Sequence, residues 1–189
     1  MKHNNPIAPM AVVILLSVYY FCGVVVFAAL IFAAAAHELG HIAAICLMGG
    51  KICRMSFEAS GMSICGTGIE SFCGELVVLL AGPAAGLLLT TVCRNAHSEL
   101  FSFVGGISLL LSVYNLLPAL PLDGGRAVSC IIGRLWGARN AERVMDFCGI
   151  IIGSLLSFMG AVYMKAALLI AGIWILIAQT GIVKNMRVL

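Results

Sequence analysis

The chain has 189 residues, 62% of them hydrophobic and only 10% charged, with a formal net charge of +3. A soluble domain of this size cannot hide so much apolar surface, so the composition excludes a water-soluble globule and points to an integral membrane protein. The positive charge is too small and too scattered for nucleic acid to be a partner.

After Met1-Lys2-His3-Asn4-Asn5-Pro6 the sequence is apolar from Ile7 to Met48. As a single helix that run would be about 60 Å long, twice the hydrocarbon core of a bilayer, so it has to turn back. The region around Tyr19-Tyr20-Phe21-Cys22-Gly23 is where it is expected to do so, giving a first span over 7–21 and a second over 24–48. A cleaved signal peptide is not expected. The Ala-x-Ala sites between Ala28 and Ala36 would put the cut against the motif that follows them.

That motif is His37-Glu38-Leu39-Gly40-His41. On a helix, His37 and His41 lie one turn apart, and both imidazoles project from one face, where they can grip one ion. Glu38 is close enough to reach a water on that ion without being a ligand. Two histidines as zinc ligands and the glutamate as general base is the HExxH arrangement of zinc hydrolases. The plainer reading, a polar patch bonded to its neighbours, suits a soluble helix better than an apolar one. Ionisable groups inside a membrane span are costly and usually functional.

Gly49-Gly50 ends the second span, and the stretch from Lys51 to Glu58 alternates, with Cys53, Met55 and Phe57 opposite Arg54, Ser56 and Glu58. Ala59-Ser60-Gly61 can turn and Met62 to Cys65 continues extended, so a β-hairpin at the membrane surface is expected. An unwound substrate could add to its edge as a further strand. Eight cysteines are present without a C-x-x-C pair. Several behave as small hydrophobes in spans, and the spacing of Cys53, Cys65 and Cys73 fits no zinc motif.

A third span covers about 76–93 and contains Ala81-Gly82-Pro83-Ala84-Ala85-Gly86, whose small residues allow a close helix approach and whose proline bends the span. The fourth runs from near Phe101 to Tyr114 and meets Asn115-Leu116-Leu117-Pro118-Ala119-Leu120-Pro121-Leu122-Asp123-Gly124-Gly125. Two prolines and two glycines cannot continue a regular helix, and irregular backbone at membrane depth is tolerated only against protein or a wet cavity. The break therefore marks a site. Helix resumes to about Trp136, a polar interval covers 137–146, and spans five (about 147–163) and six (about 166–183) follow, with Lys165 in the turn between them.

The expected fold is an all-α membrane protein of about six transmembrane helices with a small membrane-surface β-hairpin, one polytopic domain over residues 1–189. With both termini cytoplasmic, that side holds Lys2, Lys51, Arg54, Arg126, Arg134, Arg139, Arg143, Lys184 and Arg187, and the other side only Arg94 and Lys165. The opposite orientation would invert the positive-inside bias.

Catalytic zinc takes three protein ligands. Besides His37 and His41 the only histidines are His3, in the terminal tail, and His97, expected on the far side. Asp123, a carboxylate on broken backbone beside glycines, is the better third ligand. It could also serve as the N-cap of the helix from Gly124, and the two roles can coexist.

Together, HELGH on a transmembrane helix, Ala81-Gly82-Pro83, and the run from Asn115-Leu116-Leu117-Pro118 to Pro121-Leu122-Asp123-Gly124-Gly125 resemble the site-2 protease family of intramembrane zinc metalloproteases. The compact form, over about 7–184, is similar to the branch that processes a pro-sigma factor in sporulating bacteria. The resemblance implies one catalytic Zn2+ held by His37, His41 and Asp123, with Glu38 as base. It also implies hydrolysis of a peptide bond in or beside a membrane segment of a membrane-associated protein, in a bacterial cell membrane, with any gating partner unspecified. Asn115 is implied to lie near the substrate backbone; from the bare sequence it could equally bond to freed backbone in the break. Many relatives carry asparagine three positions after the Gly-Pro pair, where this chain has Gly86. The sporulation branch commonly adds a CBS domain, which residues 1–189 do not contain.

The rival reading is a non-proteolytic metal-binding membrane protein or carrier. A carrier wants ionisable groups along a path through several spans. Here they cluster at one depth, and spans five and six are nearly free of them.

Overall fold

A computed structural model of the chain describes residues 7–58, 61–67, 71–96 and 98–179, with side chains defined at 19–20, 23–51, 71–96 and 98–179. Its elements in order are α1 (Ile7–Leu47), β1 (Lys51–Glu58), β2 (Gly61–Thr67), α2 (Phe72–Asn95), α3 (Glu99–Asn115), α4 (Asp123–Trp136), α5 (Ala138–Val162) and α6 (Ala166–Gln179). They fall into two compact units, Met1–Asn115 and Leu116–Leu189. His3, His97, the Ala59-Ser60 turn and the terminal charges Lys2, Lys184 and Arg187 lie outside the described residues.

In the first unit, α1 is interrupted at Gly23, whose φ of 83° and ψ of 168° leave the helical region. A positive φ strains any residue with a Cβ, so glycine sits where the run breaks. After the break, α1 packs on α2. Gly40 makes that approach possible, because a Cβ there would stand 2.6 Å from the Ala85 Cβ and 2.5 Å from the Ala81 carbonyl oxygen. β1 and β2 pair antiparallel from Lys51 with Thr67 to Glu58 with Gly61, and the register shifts between Ile52 and Arg54.

Ser71 caps α2, its hydroxyl accepting from the Gly74 amide at 3.0 Å. Hydroxyls fasten α2 to α3. Ser108 Oγ donates to the Gly86 carbonyl at 2.9 Å, and Thr90 Oγ1 lies 2.9 Å from Gly86 O and 3.1 Å from Gly105 O, while Ser112 Oγ donates back within α3 to Ser108 O at 2.8 Å. Gly86 itself touches α3, since a Cβ on it would overlap the Ser112 hydroxyl. The position where many relatives were expected to place asparagine is thus filled here by serines from the next helix.

In the second unit, Ile132, Ala141 and Met145 form a core against which Leu120, Val128 and Cys148 pack. This corrects the expected polar interval at 137–146. α5 begins at Ala138, because Ala141 and Met145 sit one turn apart and supply a buried face, while Arg139, Asn140, Glu142 and Arg143 face outward. α5 and α6 pack through small residues: a Cβ on Gly153 would stand 2.8 Å from Leu176 Cγ, and one on Gly172 would stand 2.5 Å from the Ser157 amide nitrogen.

Among the described residues, Gly23–Leu47, Phe72–Asn95 and Ala138–Val162 are long and apolar enough to cross a membrane, and Glu99–Asn115 and Ala166–Gln179 are shorter apolar helices. Large apolar side chains point outward, Leu88 at 66%, Leu110 at 72% and Phe158 at 69% exposure. In water such surfaces would drive aggregation, whereas lipid solvates them. This is an integral membrane protein.

Candidate functional site

The helical register after Gly23 sets the first half of the site. His37 is buried and His41 half-buried on the same face of α1, and their Nε2 atoms lie 3.3 Å apart. The second ring nitrogen of His41 decides what that contact is. Its Nδ1 lies 2.7 Å from the carbonyl oxygen of Val78 on α2. A carbonyl only accepts, so Nδ1 carries the proton and Nε2 is left with its lone pair. Read as a hydrogen bond, the 3.3 Å contact then needs the proton of the other imidazole on His37 Nε2. Read as two ligands of one ion, it matches the edge of a tetrahedron with metal–nitrogen bonds of about 2.0–2.1 Å, which is about 3.3 Å. The pair therefore fits zinc without rearrangement.

α2 is shaped around His41. A Cβ on Gly82 would overlap the His41 imidazole at Nε2 and stand 2.6 Å from its Cε1. Pro83 follows inside the helix. Having no N–H, it leaves the Leu79 carbonyl without a helical donor and loosens the turn that presents Val78. Glu38, next to His37, is half-buried on α1, and its Oε2 is fully enclosed.

Asp123 belongs to the second unit and is buried. It is the first residue of α4, and Leu122 is the N-cap, with no side-chain cap bond. Asp123 thus sits one position inside the helix instead of at the N-cap position expected from the Gly-Gly pair. Two glycines let the preceding segment fold back on this start. A Cβ on Gly124 would overlap the Leu116 carbonyl, and one on Gly125 would stand 2.7 Å from the Leu120 amide nitrogen. Asn115 ends α3, and its Nδ2 donates to the Leu111 carbonyl at 3.0 Å, so its amide is turned onto its own helix. No residue type marks the Val78 carbonyl, since any residue can supply a main-chain oxygen. The Gly82 contact was legible only as a general provision for close packing.

The fold matches a solved structure, the site-2 protease from Methanocaldococcus jannaschii, with a TM-score of 0.70 and 22% identity, covering 90% of this chain and 84% of that one. The profile of Peptidase family M50 matches residues 90–159. Part of the chain is thus similar to the M50 peptidases, and the fold is that of a site-2 protease. Among curated relatives, a zinc metalloprotease of Methanocaldococcus jannaschii is 26% identical over 149 residues, 74% of this chain and 43% of that protein. A protein of Synechocystis sp. with a provisional zinc-metalloprotease name is 29% identical over 138 residues, 64% of this chain and 36% of that protein. The chain thus spans less than half the length of either relative. The M50 match covers Asp123 and Asn115 but begins after HELGH, so the His37–Glu38–His41 half of this site-2 protease-like chain stands on its own geometry.

Proposed function

We propose that the protein is an intramembrane zinc metalloprotease that hydrolyses a peptide bond in or beside a transmembrane segment of a membrane-associated protein. The observation that carries this reading is the His37–His41 pair, with Nε2 atoms 3.3 Å apart and the His41 tautomer held by Val78, on a helix apolar enough to cross a bilayer. The zinc-metalloprotease names of the relatives support it.

In this reading His37, His41 and Asp123 are the three protein ligands of the ion. A carboxylate as third ligand offsets the double charge of the ion in a low-dielectric setting. When bound, zinc acidifies water and polarises the scissile carbonyl. Glu38 takes the proton of the attacking water and passes it to the leaving amine, a role that needs a carboxylate beside the metal but not on it. The His41–Val78 bond keeps one ligand in its metal-ready tautomer. Peptide bonds in a helix are shielded, so the substrate unwinds before cleavage. The hairpin β1–β2, lying at the membrane surface, receives it as an added strand, with Asn115 near its backbone. Residues 1–189 act as one polytopic domain of six spans in a bacterial cell membrane, both termini cytoplasmic.

The test is zinc content together with cleavage of a membrane-anchored peptide, for wild type and Glu38→Gln. The variant should retain zinc and lose about 10²–10⁴ in rate, the usual cost of removing a positioned base. Full turnover in the variant would reassign the base. Zinc without cleavage in the wild type would favour the metal-binding carrier instead.

A further inference from the structure

We propose that Gln179 is a positioning residue for Asp123, holding the segment that presents its carboxylate to the metal; this rests on the zinc reading above. α6 reads AALLIAGIWILIAQ, and Gln179 is its single polar residue. A primary amide in apolar surroundings is costly unless bonded, so its position asks what it bonds to. Gln179 Nε2 donates to the Leu120 carbonyl, 59 positions away, at 2.7 Å; its own helix offers only a longer contact, 3.4 Å to Ile175 O. α5 makes room for the amide at Gly149, where a Cβ would overlap it.

Leu120 lies in the irregular segment between α3 and α4, where carbonyls have no helical partners. Local bonds use two of them: Ala119 N–H donates to Leu117 O at 2.8 Å and Leu122 N–H to Ala119 O at 3.0 Å. The Leu120 carbonyl is taken by Gln179. On the other side of the same residue, the Leu120 amide nitrogen presses against Gly125. Leu120 is therefore gripped at both ends, by α6 at its oxygen and by the first turn of α4 at its nitrogen. Asp123 stands two residues before that Gly125 contact and three after the gripped carbonyl. Without the Gln179 bond, the segment loses its tie to α6, and the carboxylate loses the restraint which that tie supplies.

Partners that orient metal ligands typically govern metal affinity by 10–100-fold. The experiment measures zinc affinity by chelator competition, and the Co2+ absorption spectrum, on the full-length protein in detergent. Gln179→Met keeps the length of the side chain and removes the donor; Gly149→Ala displaces the amide without removing it. Each should weaken zinc binding about 10–100-fold and alter the Co2+ spectrum. In an Asp123→Asn background, Gln179→Met should weaken it no further, because the group it positions is already lost. A residue that merely stabilises the fold would produce the same added loss in both backgrounds. Zinc affinity and Co2+ spectrum unchanged in both single variants, or an additive loss in the double variant, overturns the positioning role alone. If one single variant fails to fold, the other decides. Wild-type protein that takes up no zinc overturns the reading of the site, and this role with it.

Discussion

Replacing Gly82 with alanine adds one methyl group where the His41 ring already lies. The new Cβ would stand 2.6 Å from Cε1 and 2.7 Å from Cδ2. Carbon atoms rest at about 3.5–4.0 Å, so the ring must retreat by about 1 Å. It cannot do so freely, because Nδ1 is held 2.7 Å from Val78 O, one turn back on the same helix. Overpacking of this kind costs about 1–3 kcal/mol, and a lost hydrogen bond about 0.5–1.5 kcal/mol. Metal-free protein escapes most of this by letting the ring move, and zinc must then restore it. The cost therefore appears in zinc affinity, as a loss of about tenfold to a thousandfold at 1.4 kcal/mol per decade. Chelator competition on the purified protein reads it directly. Gly106→Ala is the control: nothing lies within 4 Å of a Cβ there, and alanine in a helix interior is favourable by about 0.5–1 kcal/mol. Gly82→Ala with wild-type zinc affinity would refute the claim that this glycine makes room for a ligand.

Asp123→Ala should weaken zinc binding, because it removes the carboxylate ligand; zinc content reads the loss, and helix content by circular dichroism checks that the fold is kept. Cysteine labelling should reach positions 51 and 139 from one side of the membrane and 165 from the other, and labelling of all three from one side would sink the six-span scheme. Proline at an outward-facing amide of β1 should slow cleavage and leave zinc content unchanged, because it removes a donor from the edge that pairs with substrate. Equal loss of both would mean that the hairpin serves only the fold.

Much of this was legible in the sequence because it lies in residue types and short spacings. The one-turn spacing of His37 and His41 announces a shared face, and the length of the apolar run from Ile7 demands a break, which falls at Gly23. The stretch from Leu116 to Leu122 is irregular, as its two prolines require, whereas Gly124 and Gly125, expected to share the break, lie inside α4. Residues 137–146 were misread because hydropathy marks where apolar sequence stops and not where helix starts; a helix with a narrow buried face, here Ala141 and Met145, looks polar. Asp123 resembled a cap for a similar reason, since a short acid before Gly-Gly carries that signature whether or not its oxygen turns back. The contacts of His41 with Val78 and of Gln179 with Leu120 span 37 and 59 positions and end on main-chain oxygens. No residue identity encodes such an acceptor.

The hydroxyls between α2 and α3 bear on what that seam can conduct. A relay for protons or ions needs groups that release one partner and take the next. Thr90, Ser108 and Ser112 instead hand their hydrogens to the backbone oxygens of Gly86, Gly105 and Ser108. Those oxygens are fixed in helices and cannot rotate away to pass anything along. At Gly86 and Gly105 the helices are in contact, since a Cβ would overlap the Ser112 hydroxyl at the first and stand 3.0 Å from the Cys93 Cβ at the second. The seam works as a weld, not a wire, and a transported ion would have to find its road elsewhere.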